Sequence, residues 1–144
     1  MPTCLGLDYG LRRIGIAAGD TERRLAFAVT THVEGRDGPV LELLRRLVAE
    51  RGVSLLVVGL PLTADGREAD LAAHARRFAA VLERELGLPA VLWDERYSSA
   101  EADRWLPAGR RGGKEARDAL AAEIILQSYL DSTAAGGVPP EAPA

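Results

Sequence analysis

Apolar and polar positions change period several times along this chain, and each change predicts an element. Cys4-Leu5-Gly6-Leu7-Asp8-Tyr9-Gly10 and Arg13-Ile14-Gly15-Ile16-Ala17-Ala18-Gly19 carry two short apolar runs split by a glycine-containing turn, the pattern of a β-hairpin. Leu25 to Val33, rich in valine and threonine, is a third strand. Asp37-Gly38-Pro39 reads as a helix start with Asp37 as N-cap, and Val40, Leu44, Leu47 and Val48 then recur at helical spacing until Gly52. Val53 to Val58, apolar apart from Ser54, shows no alternation, as in a strand buried on both faces.

The second half continues the alternation. Gly59-Leu60-Pro61 stops the strand, and Asp65-Gly66 marks a turn. Leu71, Ala75, Phe78 and Leu82 outline an amphipathic helix closed by Gly87. Ala90 to Glu95 is another strand. Ser98 and Glu101 have capping-box spacing for a short helix, which Pro107 ends. A last helix runs from about Lys114 to Asp131. The order β-β-β-α-β-α-β-α-α predicts an α/β domain: a mixed five-stranded sheet, its first three strands antiparallel, with helices on both faces. Residues 1–133 form one domain in this reading, and the alanine-, glycine- and proline-rich residues 134–144 a disordered tail.

Composition narrows the setting. With 47% apolar and 27% charged residues the chain has an ordinary globular balance. Its one cysteine, Cys4, excludes an internal disulfide, so a reducing, cytoplasmic location is expected. No basic segment followed by a long apolar run opens the chain, and no stretch approaches ~18 apolar residues, so neither secretion nor a membrane partner is expected. The net charge of −3 argues against a generally basic nucleic-acid binder. Yet between Arg104 and Arg117 stand five bases, Arg104, Arg110, Arg111, Lys114 and Arg117, against one acid, Glu115. A concentrated basic segment on an acidic body meets phosphates locally, and a solvated loop is the competing reading.

Carboxylates in unusual places carry the chemistry. Asp8 interrupts an apolar first strand, where an unpaired charge is costly. Gly6 and Gly10, two residues to either side, leave room beside it for something bulky. The alternative is a turn aspartate that caps the hairpin. On the last helix Glu123, Gln127 and Asp131 form one polar stripe. Asp118 lies on the opposite side, in line with Ala122, Ile125 and Tyr129. A favourable interaction with the helix dipole would be served equally well on the solvent side, so this placement points Asp118 at the sheet. Glu95 ends the strand Val91-Leu92-Trp93-Asp94-Glu95, and adjacent Asp94 must take the opposite face. Oxygen ligands of this kind suit hard divalent cations, Mg²⁺ or Mn²⁺. His32 and His74 stand apart from one another and form no zinc-type cluster.

The blocks Leu5-Gly6-Leu7-Asp8-Tyr9-Gly10-x-x-Arg13-Ile14-Gly15, Val58-Gly59-Leu60-Pro61-Leu62 with Gly66, Asp94-Glu95-Arg96-Tyr97-Ser98-Ser99, and Asp118-Ala119-Leu120-Ala121-Ala122 with Ile125-Leu126-Gln127 closely resemble the YqgF/RuvX family. A pre-16S ribosomal RNA nuclease role is provisionally assigned to that family. The resemblance spans residues 5 to about 131 in the family's order. It implies a ribonuclease H-like fold and a two-metal nuclease, with Asp8 bridging the ions and Glu95 and Asp118 completing the site. It also implies attack by metal-activated water to leave a 5′-phosphate. Arg12, Arg13, Arg96, Arg110, Arg111, Lys114 and Arg117 would hold the nucleic-acid backbone, which confers affinity rather than sequence choice. The family's usual Leu-Thr-Thr after Asp-Glu-Arg is replaced here by Tyr97-Ser98-Ser99, which keeps the hydroxyls. Related resolvases place an acid near the fourth strand, where this chain has Gly59-Leu60-Pro61, so Glu95 is the substitute.

Three rivals follow. Holliday-junction resolution is the same chemistry on branched or single-stranded DNA rather than on a ribosomal precursor. A kinase or ATPase also begins with a strand and Asp-x-Gly but closes two domains on a nucleotide. The glycine-rich stretch before Lys114 fails as a Walker loop, having Ala108 and Glu115 at key positions. A catalytically inactive nucleic-acid-binding regulatory module would have no need of all three acids. Monomer and homodimer are equally compatible with the sequence.

Overall fold

The computed structural model describes residues 3–61, 69–94 and 113–134, with Lys114 and Ala134 as backbone only. Five strands, β1 (Thr3–Asp8), β2 (Arg13–Asp20), β3 (Leu25–Val33), β4 (Val53–Leu60) and β5 (Ala90–Asp94), form one sheet in the order β3-β2-β1-β4-β5. The first three are antiparallel, while β4 runs parallel to β1 and β5 parallel to β4. Helices α1 (Val40–Arg51), α2 (Ala72–Leu86) and α3 (Gly113–Ala134) complete the described elements. The five strands and the mixed sheet are as read from the periodicity, except that β4 runs on through Gly59 and Leu60, which pair with Trp93 and Asp94 of β5, and stops only before Pro61. The turn at Asp65-Gly66 and the helix at Ser98 lie outside the described residues.

Alternation along each strand separates two cores. Leu5 and Leu7 of β1, Ile14 and Ile16 of β2, Val58 and Leu60 of β4, and Leu92 of β5 face α1 and α2. Cys4, Ala17, Val57, Val91 and Trp93 face the other way, onto Ala122, Ile125, Leu126, Tyr129 and Leu130 of α3. Both faces of β1 and β4 are therefore covered, which is why β4 is apolar from Leu55 to Val58 without alternation. Helices α1 and α2 end where Gly52 and Gly87 adopt left-handed backbone at φ 63° and 68°, and each glycine N–H returns to the last turn.

Local expectations were corrected at two further places. Pro39 rather than Asp37 is the N-cap of α1, and it supplies no side-chain cap. Asp37 instead accepts a hydrogen bond from the Val33 N–H at 2.8 Å, closing the loop after β3. The space above Gly6 is also not left for a ligand. A Cβ there would stand 2.7 Å from Leu126 Cβ and 3.0 Å from the Ala122 carbonyl, so the bulky neighbour is α3 itself.

Candidate active site

The parallel arrangement of β1, β4 and β5 brings their C-terminal ends, Asp8, Leu60 and Asp94, to one edge of the sheet. Crevices outside the carboxyl ends of parallel strands are the usual ligand sites of α/β sheets. Asp8 follows Cys4 and Gly6 on the α3 face of β1 and pairs with Gly15 of β2. Gly15 in turn lies directly beneath the Asp118 backbone, where any Cβ would collide with the Asp118 carbonyl. Asp8 and Asp118 thus border one cleft of about 400 Å³, together with Tyr9, Leu11, Arg12, Arg13 and Leu71.

Several contacts set this geometry. Tyr9 stacks on Phe78 of α2 at 4.7 Å between ring centres, anchoring the chain just beyond Asp8. The Arg13 guanidinium donates from Nε to Asp118 Oδ2 at 2.6 Å, with both side chains partly exposed. One turn earlier, Thr31 Oγ1 donates to the Glu115 carbonyl at 2.6 Å. Arg36 grips the Glu115 carboxylate through Nη1 at 3.0 Å and Nη2 at 3.2 Å. The first turns of α3, and Asp118 with them, are therefore tied to β2, to β3 and to the loop after β3.

Two of the three predicted acids come together. Asp118 lies at the cleft, on the same helix side as Ala122, Ile125 and Tyr129, as its helical phase required. Glu95 lies outside the described residues. Its competitor Asp94 pairs with Leu60 and follows Leu92, both of which face α1 and α2, so Asp94 continues the face away from Asp8. Among the described residues no group of three or more histidines, cysteines, aspartates or glutamates could hold a metal ion. His32 is a buried packing residue of β3, with neither ring nitrogen hydrogen-bonded among the described residues.

A family model described as "RuvX: Holliday junction resolvase" matches residues 2–132. The chain belongs to the RuvX family. A relative from Chloroflexus aggregans is 44% identical over 136 residues, covering 90% of this chain and 94% of its own length. One from Synechocystis is 42% identical over 130 residues, covering 88% and 86%. The names of both assign them, provisionally, as pre-16S rRNA nucleases. Among solved structures, RuvC of Thermus thermophilus superposes with a TM-score of 0.57 at 13% identity over 99% of each chain. RuvC of T. thermophilus in complex with a Holliday junction substrate gives 0.55 at 14% over 100% of each. Likeness at this identity shows the fold, which is ribonuclease H-like.

The basic residues expected to serve this RuvX chain divide. Arg12 is exposed on the hairpin turn at the rim of the cleft, and Arg13 opens β2 beside it. Arg117 is exposed on α3. Arg96, Arg110 and Arg111 lie outside the described residues, as does the Lys114 side chain. Sequence reasoning missed the Arg13–Asp118 pair and the roles of Thr31 and Arg36. The one available signal was Gly15, a glycine inside an apolar strand, which marks close backbone approach. No described helix is long and apolar enough to cross a membrane.

Proposed function

We propose that this RuvX-family chain is a divalent-metal-dependent nuclease that hydrolyses phosphodiester bonds and trims the 5′ end of pre-16S rRNA. The single observation that carries the reading is that Asp8 and Asp118, far apart in sequence, share one cleft at the carboxyl edge of the sheet with Arg12 and Arg13 at its rim. The donor chemistry fits Mg²⁺ or Mn²⁺. Both acids offer hard oxygen ligands, the cleft admits water, and magnesium needs only a few carboxylates. Glu95 is the third ligand in this proposal, supported by the face that Asp94 takes. When bound, the cation lowers the pKa of water and offsets the charge of the phosphoryl oxygens. Asp8 and Asp118 orient that charge, and Arg12 holds the phosphate backbone and excludes no particular base.

The family description favours a second reading, cleavage of four-way DNA junctions. One experiment separates the two: purified protein on structured pre-rRNA 5′ leader, linear single strands and four-way junctions, with and without Mn²⁺. Mn²⁺-dependent cleavage of the leader, abolished by Asp8→Asn with an unchanged circular dichroism spectrum, is expected. Undiminished cleavage in that variant would sink the carboxylate site. Preference for the junction would select the second reading, and no cleavage of any substrate would favour a binding module.

A further inference from the structure

Arg13 was expected to contact phosphate, yet its guanidinium is engaged elsewhere: Nε lies 2.6 Å from Asp118 Oδ2. Resting on the proposed metal site, this pairing poses a conflict. One of the two oxygens that Asp118 could offer a divalent cation already accepts a hydrogen bond from a guanidinium. A guanidinium and a doubly charged ion repel one another at such range, most strongly where water is partly excluded. Arg13 is also well placed to move. It is the first residue of β2, next to the hairpin turn, its side chain is 34% exposed, and it lines the same cleft as Asp8 and Arg12. The Nε–H is only one of five donors on a planar fork that suits phosphate as well as carboxylate.

We propose that Arg13 exchanges partners. In the metal-free protein its guanidinium neutralises Asp118 and holds that carboxylate toward the cleft. When a divalent cation occupies the carboxylates, the guanidinium turns outward to a non-bridging phosphate oxygen of the nucleic acid. Metal and nucleic acid then favour the same position of Arg13, so each tightens the binding of the other by an equal factor. A fixed Arg13–Asp118 pair that merely orients the carboxylate makes the opposite prediction for metal affinity, since its loss would loosen the site.

The test measures Mn²⁺ affinity by electron paramagnetic resonance on the full chain without nucleic acid, and single-strand affinity in Ca²⁺ across a salt series. Arg13→Gln is expected to bind Mn²⁺ about fivefold or more tightly than wild type. It should bind the single strand more weakly, with the slope of log K against log salt reduced by roughly one contact's worth. Unchanged or weaker Mn²⁺ binding in Arg13→Gln overturns the exchange, as does an unchanged salt slope. A second measurement needs no variant: the Arg13 Nε–H nuclear magnetic resonance signal of wild type should shift on titration with Mg²⁺, and a stationary signal with metal bound overturns the proposal. Wild type that binds Mn²⁺ while Arg13→Gln gains nothing refutes the exchange alone. Wild type that binds no Mn²⁺ refutes the metal site as well.

Discussion

Gly15 and Asp118 meet backbone to backbone: the Asp118 carbonyl occupies the volume that a side chain on Gly15 would need. Because Gly15 is also the cross-strand partner of Asp8, one glycine sets how closely the two acids approach across the β1–β2 pair. The same closeness recurs along α3, where Ala122 and Leu126 lie over Gly6 of β1. A helix seated this low on a sheet needs small residues beneath it at helical intervals.

Gly15→Ala is therefore expected to cost about 3 kcal/mol, the upper end for overpacking, since the obstacle is backbone rather than a side-chain tip. Gly19→Ala is the comparator. Its Cβ would come within 3.0–3.2 Å of the Leu126 Cδ2 and Leu130 Cδ1 tips and of the Leu25 carbonyl. At these distances each neighbour, the Leu25 carbonyl included, need give only slightly, and a loss of about 1 kcal/mol is expected. Urea unfolding of both variants checks the ranking, and equal losses would contradict it. Gly15→Ala should also weaken Mn²⁺ binding where Gly19→Ala does not.

A second prediction concerns the edge strand. Gln127 accepts from the Ala26 N–H at 2.9 Å and donates to the Arg24 carbonyl at 2.8 Å, and Glu123 accepts from the Ala28 N–H at 2.8 Å. The polar stripe of α3 thus serves the backbone of β3, whose Leu25 and Phe27 are exposed. Open strand edges are templates for self-association. The double variant Glu123→Ala/Gln127→Ala should lose about 1–3 kcal/mol and sediment with a larger associated fraction than wild type. A variant that stays as dispersed as wild type at equal concentration would show that β3 needs no such cover.

Acid sensitivity has an identifiable contributor. The Arg36 guanidinium, followed by the Val33 N–H, holds the Asp37 carboxyl down at about 2, below its ordinary value of 3.8. A folded-state pKa lowered in this way contributes stability above about pH 4 that is lost as pH falls toward 2. Asp37→Asn should melt at a lower temperature than wild type at pH 6, and the gap should close between pH 4 and pH 2. Melting curves across that range provide the check. A gap of constant size would assign the effect to something other than ionisation. Asp37 is exposed and so is Arg36, so the gap is expected to shrink in high salt.

Much of this protein is written in short-range patterns. The unalternating apolar run from Leu55 to Val58, the helical spacing of Leu71 to Leu82, and the glycines at 52 and 87 each reflect forces acting within one element, so the sequence alone determines strand and helix. The helical phase of Asp118 belongs with them, because 100° per residue assigns a face without knowledge of what that face meets. The Asp8 end of β1 was legible for the same reason. Contacts between distant segments were not. Asp37 reads locally as a helix cap, but the Val33 N–H reached it first, and Pro39 took the cap position. Gly6 reads locally as open space, and only the descent of α3 shows it filled. Arg13 reads as a free cation, while the tertiary fold sets it against Asp118, 105 residues away. Periodicity reports which side of an element is buried; only the assembled sheet and helix decide which atoms meet there, because hydrogen bonds and steric contacts reach only a few ångströms and depend on register between elements that the chain joins late.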